Sequence, residues 1–147
     1  MQDLIITPLK RIAHPKGDIY HAMKSSDIGF VSFGEAYFSI ISYDEIKGWK
    51  KHTQMVLNLV VPTGKVRFVI YDDRGDSNSF GEFFDVVLSS DNYSRITIPN
   101  GVWMAFEGVG KGLNMLLNIA SIEHNPDESI SCELSKISYS WQKNEKD

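Results

Sequence analysis

One histidine stands in a setting that could do chemistry. His52 closes the run Ile46-Lys47-Gly48-Trp49-Lys50-Lys51-His52. Taken locally, the run allows a surface histidine at a strand end, beside two lysines that solvate the region. It also allows a general base. Cations at Lys50 and Lys51 would favour the neutral imidazole. A neutral imidazole can take a proton at pH 7. The other histidines carry less. His14 precedes Pro15 in a loop, His21 lies in a short extended stretch over 18–23, and His124 sits in the polar turn Glu123-His124-Asn125-Pro126. Surface or structural roles are expected for these three. No Ser/His/Asp set with a nucleophile elbow and no phosphate loop is present. Gly108-Val109-Gly110-Lys111-Gly112 is glycine-rich, but it lies between two strand candidates and reads as a hairpin turn.

The elements that must position His52 are short strands. Aromatic and β-branched runs fall at 54–61, 65–71, 83–88, 93–98, 102–108 and 113–120. Gly, Pro, Asn and Asp clusters punctuate them. Such spacing predicts an all-β sandwich or barrel. No amphipathic helix separates the runs, as a doubly wound α/β fold would require. Alternation assigns faces. Val66, Phe68 and Ile70 share one side of their strand; Lys65, Arg67, Val69 and Tyr71 share the other. Met55, Leu57, Leu59 and Val61 likewise form one set, which leaves Asn58 among apolar neighbours on the opposite face. Such an amide is either satisfied in the core or a binding contact. The segment 25–34 reads as a short helix or a connecting loop. The charged tail 142–147 is expected to fray.

Composition narrows the function classes. The chain has 147 residues, a length that fits one domain over 1–147. Hydrophobic residues make up 42% and charged residues 23%, which excludes wholesale disorder. A net charge of -4 argues against a broad nucleic-acid-binding face. Cys132 is the single cysteine, so neither a disulfide nor a cysteine-based zinc site can form within one chain. No run approaches the ~20 apolar residues of a membrane span, and no secretory signal is visible. A cytoplasmic protein with no membrane partner is expected.

Several ordered motifs resemble one family. They are Gly34-Glu35-Ala36-Tyr37-Phe38-Ser39-Ile40, Lys47 to His52, Val61-Pro62-Thr63-Gly64 through Arg74, Ser79-Phe80-Gly81 and Ile98-Pro99-Asn100-Gly101. The stretch from Ile130 to Trp141 has the spacing of a closing strand. Together they resemble the dTDP-4-dehydrorhamnose 3,5-epimerase family of cupins, over about residues 10 to 141. The resemblance implies a double-stranded β-helix (cupin jelly-roll) barrel, a homodimer, and a site inside the barrel mouth. It implies an isomerase acting on a nucleotide-linked 4-keto-deoxysugar, of dTDP type. A histidine would remove the proton alpha to the ketone, a tyrosine opposite would return one, and cationic side chains would hold the pyrophosphate and favour the enolate. No cofactor is implied, because the ketone already acidifies the neighbouring C–H bond.

Carried over by position, His52 matches the catalytic histidine. Lys16 stands where the family has a phosphate-contacting arginine; lysine keeps the charge but loses the bidentate fork. Trp49 and Lys50 occupy the segment that reads Arg-Gly-Leu-His in the family. Tyr37 and Ser39 fall near its amide substrate contacts. Asn58 and Asn118 are further expected substrate contacts, and Arg74 matches an arginine of structural role. Asn118 falls at or near the catalytic tyrosine, and an amide is no general acid near neutral pH. Proton return would then need Tyr37 or a water, and inversion at a single carbon would suffice. Glu133 is nearest to the carboxylate that orients the histidine. No metal site is expected. Where metal-binding cupins carry histidines, this chain has His52-Thr53-Gln54 and Met104, and one imidazole, one amide and one thioether make a poor site for a first-row divalent ion. Two other readings share the barrel: a 3,4-ketoisomerase using the same enolate, and a non-catalytic carbohydrate-binding cupin domain.

Overall fold

The period-2 runs become strands in the computed structural model, which describes residues 1–141. The tail 142–147, expected to fray, lies outside the described residues. In chain order the strands are β1 (Ile5–Pro8), β2 (Arg11–Ile12), β3 (Ile19–Tyr20), β4 (Glu35–Ile40), β5 (Ile46–His52) and β6 (Leu57–Thr63). They continue with β7 (Val66–Tyr71), β8 (Phe83–Leu88), β9 (Ser94–Ile98), β10 (Trp103–Gly108), β11 (Met115–Ala120) and β12 (Ser129–Ser131). Two five-stranded sheets form, ordered β1-β9-β6-β11-β4 and β12-β5-β10-β7-β8; β2 and β3 make a separate two-stranded ribbon. Every named strand pair is antiparallel. This is the all-β architecture expected from the strand spacing, in the jelly-roll arrangement that the resemblance implies.

The two sheets close on one apolar core. Met55, Leu57, Leu59 and Val61 meet Val66, Phe68, Ile70, Ile96, Ile98 and Leu116 there, all nearly or fully buried. The residues that alternation grouped on one face of β6 and of β7 are thus the ones that turn inward. Each such side chain contributes about 1.5–3 kcal/mol on burial. A second cluster lies on the outer side of the β5–β10–β7 sheet. It joins Trp49, Val69 and Ala105 with Tyr71, Trp103, Leu134, Ile137, Tyr139 and Trp141. The stretch from Ile130 to Trp141 is thus not one closing strand. After the three residues of β12 it turns through a 3-10 segment, Leu134–Lys136, and lays apolar side chains across that outer face.

The topology overturns one local expectation and decides another. The glycine-rich run 108–112 is not a hairpin, because β10 and β11 belong to different sheets; it carries the chain from one to the other. Asn114 holds this crossing, donating to the Ile41 and Gly110 carbonyls and accepting from Lys65 N–H. A Cβ on Gly110 would sit 2.4 Å from the Asn114 amide oxygen, so the crossing needs glycine there. The segment 25–34 is a loop, tied to the outer face of β6 and β9. Arg95, fully buried, donates to the Ala22 and Ile28 carbonyls and to Asp27. At the N-terminus, β1 pairs with β9 of its own chain, Ile5 opposite Thr97.

Arg74 has the structural role expected of it. Its guanidinium makes two hydrogen bonds of 2.9 Å to Asp72 and one of 2.8 Å to the Gln2 carbonyl. Those bonds, with Ser77 and Ser79 donating to the same carboxylate, hold the fully buried Asp72 well below the usual carboxylate range. No helix among the described residues is long and apolar enough to cross a membrane.

Candidate active site

A cavity of about 310 Å³ opens between the two sheets. Register decides what lines it. On β5, Lys47 pairs with Phe106 and Lys50 with Met104, and both partners pack toward the core. Lys47, Lys50 and His52 therefore share the inner face of β5, while Trp49 and Lys51 point out. On the facing sheet, Leu59, Asn118 and Tyr37 lie in one row across β6, β11 and β4. Glu35 and Ser39 flank Tyr37 on the same face. These residues, with His124 and Ser129, line the cavity.

His52 is held by a carboxylate distant in sequence. Its Nδ1 lies 2.8 Å from Glu128 Oε1, 76 residues along the chain. Glu128 is 3% exposed. Its second oxygen accepts from the backbone N–H groups of Met55 at 2.8 Å and Gln54 at 3.0 Å. Burial pushes the Glu128 carboxyl up, but the His52 hydrogen bond and the two backbone donors outweigh it and hold the group below its ordinary value. An ionised carboxylate can only accept, so the proton of neutral His52 sits on Nδ1. Nε2 keeps its lone pair for a reacting group. Glu128 lies at the end of a short 3-10 turn, Pro126–Glu128, capped by the Asn125 side chain accepting from Asp127 N–H. The sequence position nearest the family's carboxylate, Glu133, is exposed on the outer strap and takes no part. No local sequence signal marks Glu128, because the contact is made only when β12 docks on β5, Ser129 opposite His52.

The other expected contacts divide. Lys50 and Tyr37 line the cavity as expected. Asn118 does too, 7% exposed, and its Nδ2 donates to the Tyr37 hydroxyl at 3.0 Å. Trp49 is corrected in part: it borders the cavity, but its side chain turns away from it. Its ring is 1% exposed in the outer cluster, with Nε1 donating to the Leu134 carbonyl. Strand alternation forces this, since Lys50 and His52 occupy the inner face. Asn58 is also corrected: it faces outward from β6, donates to the Gly29 carbonyl at 3.1 Å and accepts from Thr97 Oγ1 at 2.6 Å. Lys16 lies in the exposed turn between β2 and β3, away from the residues lining the cavity of the same chain. Lys51 leaves the site as well, its ammonium 2.7 Å from Asp73 on the outer face. His124, expected in a surface turn, is exposed yet reaches the cavity wall. Met104 lines the cavity where a metal-binding cupin would place a histidine.

What the arrangement can do is proton transfer on a small polar substrate. An oriented imidazole with a bare nitrogen stands on one sheet, two lysines sit beside it, and a phenol stands on the other sheet.

Known proteins place this geometry. A sequence profile described as dTDP-4-dehydrorhamnose 3,5-epimerase matches residues 16–147. The chain is 31% identical to a dTDP sugar isomerase from Desulfovibrio desulfuricans, whose crystal structure superposes with a TM-score of 0.91 over 95% of this chain and 91% of that one. It is 27% identical over 120 residues to a "probable low-salt glycan biosynthesis epimerase" of Haloferax volcanii, covering 80% of this chain and 77% of the relative. The fold also matches an epimerase of Legionella pneumophila, solved in complex with dTDP-4-keto-L-rhamnose. There the TM-score is 0.81 at 21% identity, over 91% of this chain and 74% of that one.

Proposed function

This chain belongs to the dTDP-4-dehydrorhamnose 3,5-epimerase family, and from that premise we propose that it is a sugar-nucleotide epimerase working by proton abstraction alpha to a C4 ketone. The observation that carries this reading is the His52–Glu128 pair at the cavity wall. Nε2 of His52 takes the proton from the carbon beside the ketone, and the C–H electron pair moves into the enolate. The developing imidazolium is stabilised by the Glu128 carboxylate. Lys50 is placed to stabilise the enolate oxygen, and Lys47 adds positive charge for a pyrophosphate. Both lysines are exposed at the opening, as a reaction with an entering anionic substrate requires. Nucleotide-linked sugars are charged and cross no membrane unaided, which fits a cytoplasmic enzyme.

The test is solvent exchange. With a panel of 4-keto nucleotide sugars in heavy water, dTDP-linked sugars first, deuterium is expected to enter C3 or C5 in an enzyme-dependent reaction, read by NMR. Tight binding without exchange would replace this reading with the carbohydrate-binding domain. Movement of the keto group to C3 would replace it with the ketoisomerase.

The active form is proposed to be a homodimer. The outer edge of β4 has no partner strand in its sheet, and Phe38, Ile40 and Phe33 are 62%, 52% and 65% exposed nearby. Unpaired edges and large apolar patches favour pairing with a second copy. Because β1 is paired within its own chain and the β2–β3 ribbon is held there by Tyr20 against Tyr93 and Arg11 on the Ser90 carbonyl, the exposed turn between β2 and β3 is the N-terminal piece left to meet a partner. It would carry Lys16 toward the partner's cavity. Light scattering at micromolar concentration is expected to give twice the chain mass; a monomer at every concentration tested would remove the dimer and the role of Lys16.

A further inference from the structure

Epimerisation needs two groups on opposite faces of one carbon, and the position that matches the family's tyrosine is an amide. We propose that Tyr37 is the general acid, delivered from β4 and positioned by Asn118, so that the phenol has moved one strand sideways relative to the family. This inference rests on the epimerase reading above.

Four observations carry it. Tyr37 and Asn118 are direct cross-strand partners, and their side chains share the inner face. Asn118 Nδ2 donates to the Tyr37 oxygen at 3.0 Å, so the phenol accepts from the amide and its own proton remains available to the cavity. The Asn118 amide oxygen is buried with no hydrogen-bond partner. A buried unpaired acceptor costs stability, and such costs persist where a side chain is held for a site rather than for packing. Finally, Tyr37 stands on the sheet opposite His52, and both line one cavity.

The electrostatics suit an acid that is protonated before it acts. Burial raises the Tyr37 hydroxyl, the nearby Glu35 raises it further, and the Asn118 hydrogen bond works in the opposite direction. The amide thus favours the phenolate that forms on proton transfer. The step balances without any other reactant. His52 Nε2 removes the proton from one face and the electrons pass to the enolate. They return to the carbon as the Tyr37 O–H bond breaks and a C–H bond forms on the other face. The phenolate then regains a proton from water and the imidazolium loses one. Tyr37 is 44% exposed, so water reaches it.

The test separates exchange from inversion. Wild type and variants are given dTDP-4-keto-6-deoxyglucose in heavy water, and label entry and configuration are followed together by NMR. In Tyr37→Phe the ratio of inversion to label entry is expected to fall by ~10²-fold or more, the size of losing one proton donor. Asn118→Asp is nearly isosteric but offers the phenol an acceptor, drawing its proton away from the cavity. The same ratio is expected to fall there, whereas a merely structural defect would lower exchange and inversion together. Inversion at near wild-type ratio in Tyr37→Phe overturns the proposal, and its loss in His124→Gln instead would give the role to His124. Absence of exchange in wild type and His52→Ala alike would overturn the epimerase reading and this inference with it. Exchange that depends on His52 but inverts without Tyr37 overturns this inference alone.

Discussion

Replacing His52 by alanine is expected to abolish enzyme-dependent exchange of the proton alpha to the ketone, or to slow it by ~10²–10⁴-fold. The reason is geometric. His52 Nε2 is the ring nitrogen left free once Nδ1 is engaged by Glu128. Of the other ionisable groups on the cavity wall, the lysines are cationic, Tyr37 is raised by burial, Glu35 lies on the opposite sheet, and His124 has no carboxylate to orient it among the described residues. Alanine also strips the buried carboxylate of a partner, so a second variant is needed. His52→Gln can still donate to Glu128 but has no basic nitrogen. It should fold like wild type by thermal melting and lose exchange to a similar degree. Exchange that persists unchanged in both variants would show that another group is the base.

The second large effect is expected at Glu128, in two forms. Glu128→Ala leaves the N–H groups of Gln54, Met55 and His52 without their acceptor in a buried place. Leaving buried donors unsatisfied costs about 1–3 kcal/mol each, readable as a shift in the urea midpoint. Glu128→Gln keeps the shape but brings an NH₂ group among donors. To avoid a clash with that NH₂, His52 must accept on Nδ1 and carry its proton on Nε2, the nitrogen that has to receive the substrate proton. Exchange is expected to fall by ~10²–10⁴-fold with a smaller loss of stability, the consequence of an imidazole held in the wrong tautomer.

Glu128 also sets a direction for pH dependence. Its folded value lies below its unfolded one, so the stability it adds is complete above the unfolded value and is lost as pH falls through the folded value. Acid unfolding of wild type should therefore be steeper through that window than in Glu128→Gln, which has no carboxylate to protonate.

Much of this molecule is legible in its sequence because a strand has a period of two. Alternation separates Met55, Leu57, Leu59 and Val61 from Asn58, and Val66, Phe68 and Ile70 from their neighbours, before any sheet exists. The same rule puts Lys50 and His52 on one face and Trp49 and Lys51 on the other. The ordered motifs around His52, Arg74 and Pro99-Asn100-Gly101 were enough to show the family and the barrel. Alternation alone does not say which face meets the core, and it says nothing about partners from distant segments. Tertiary structure decided that Trp49 packs outward beneath Leu134 and that Asn58 is consumed by Gly29 and Thr97. It decided that Glu128, rather than Glu133, orients the base, and that His124 reaches the cavity. It joined Tyr37 to Asn118 across 81 residues. The physical reason is the same each time: in a barrel whose hydrogen bonds run between strands far apart in the chain, a strand's own residues determine its two faces, while docking against other strands determines what each face touches.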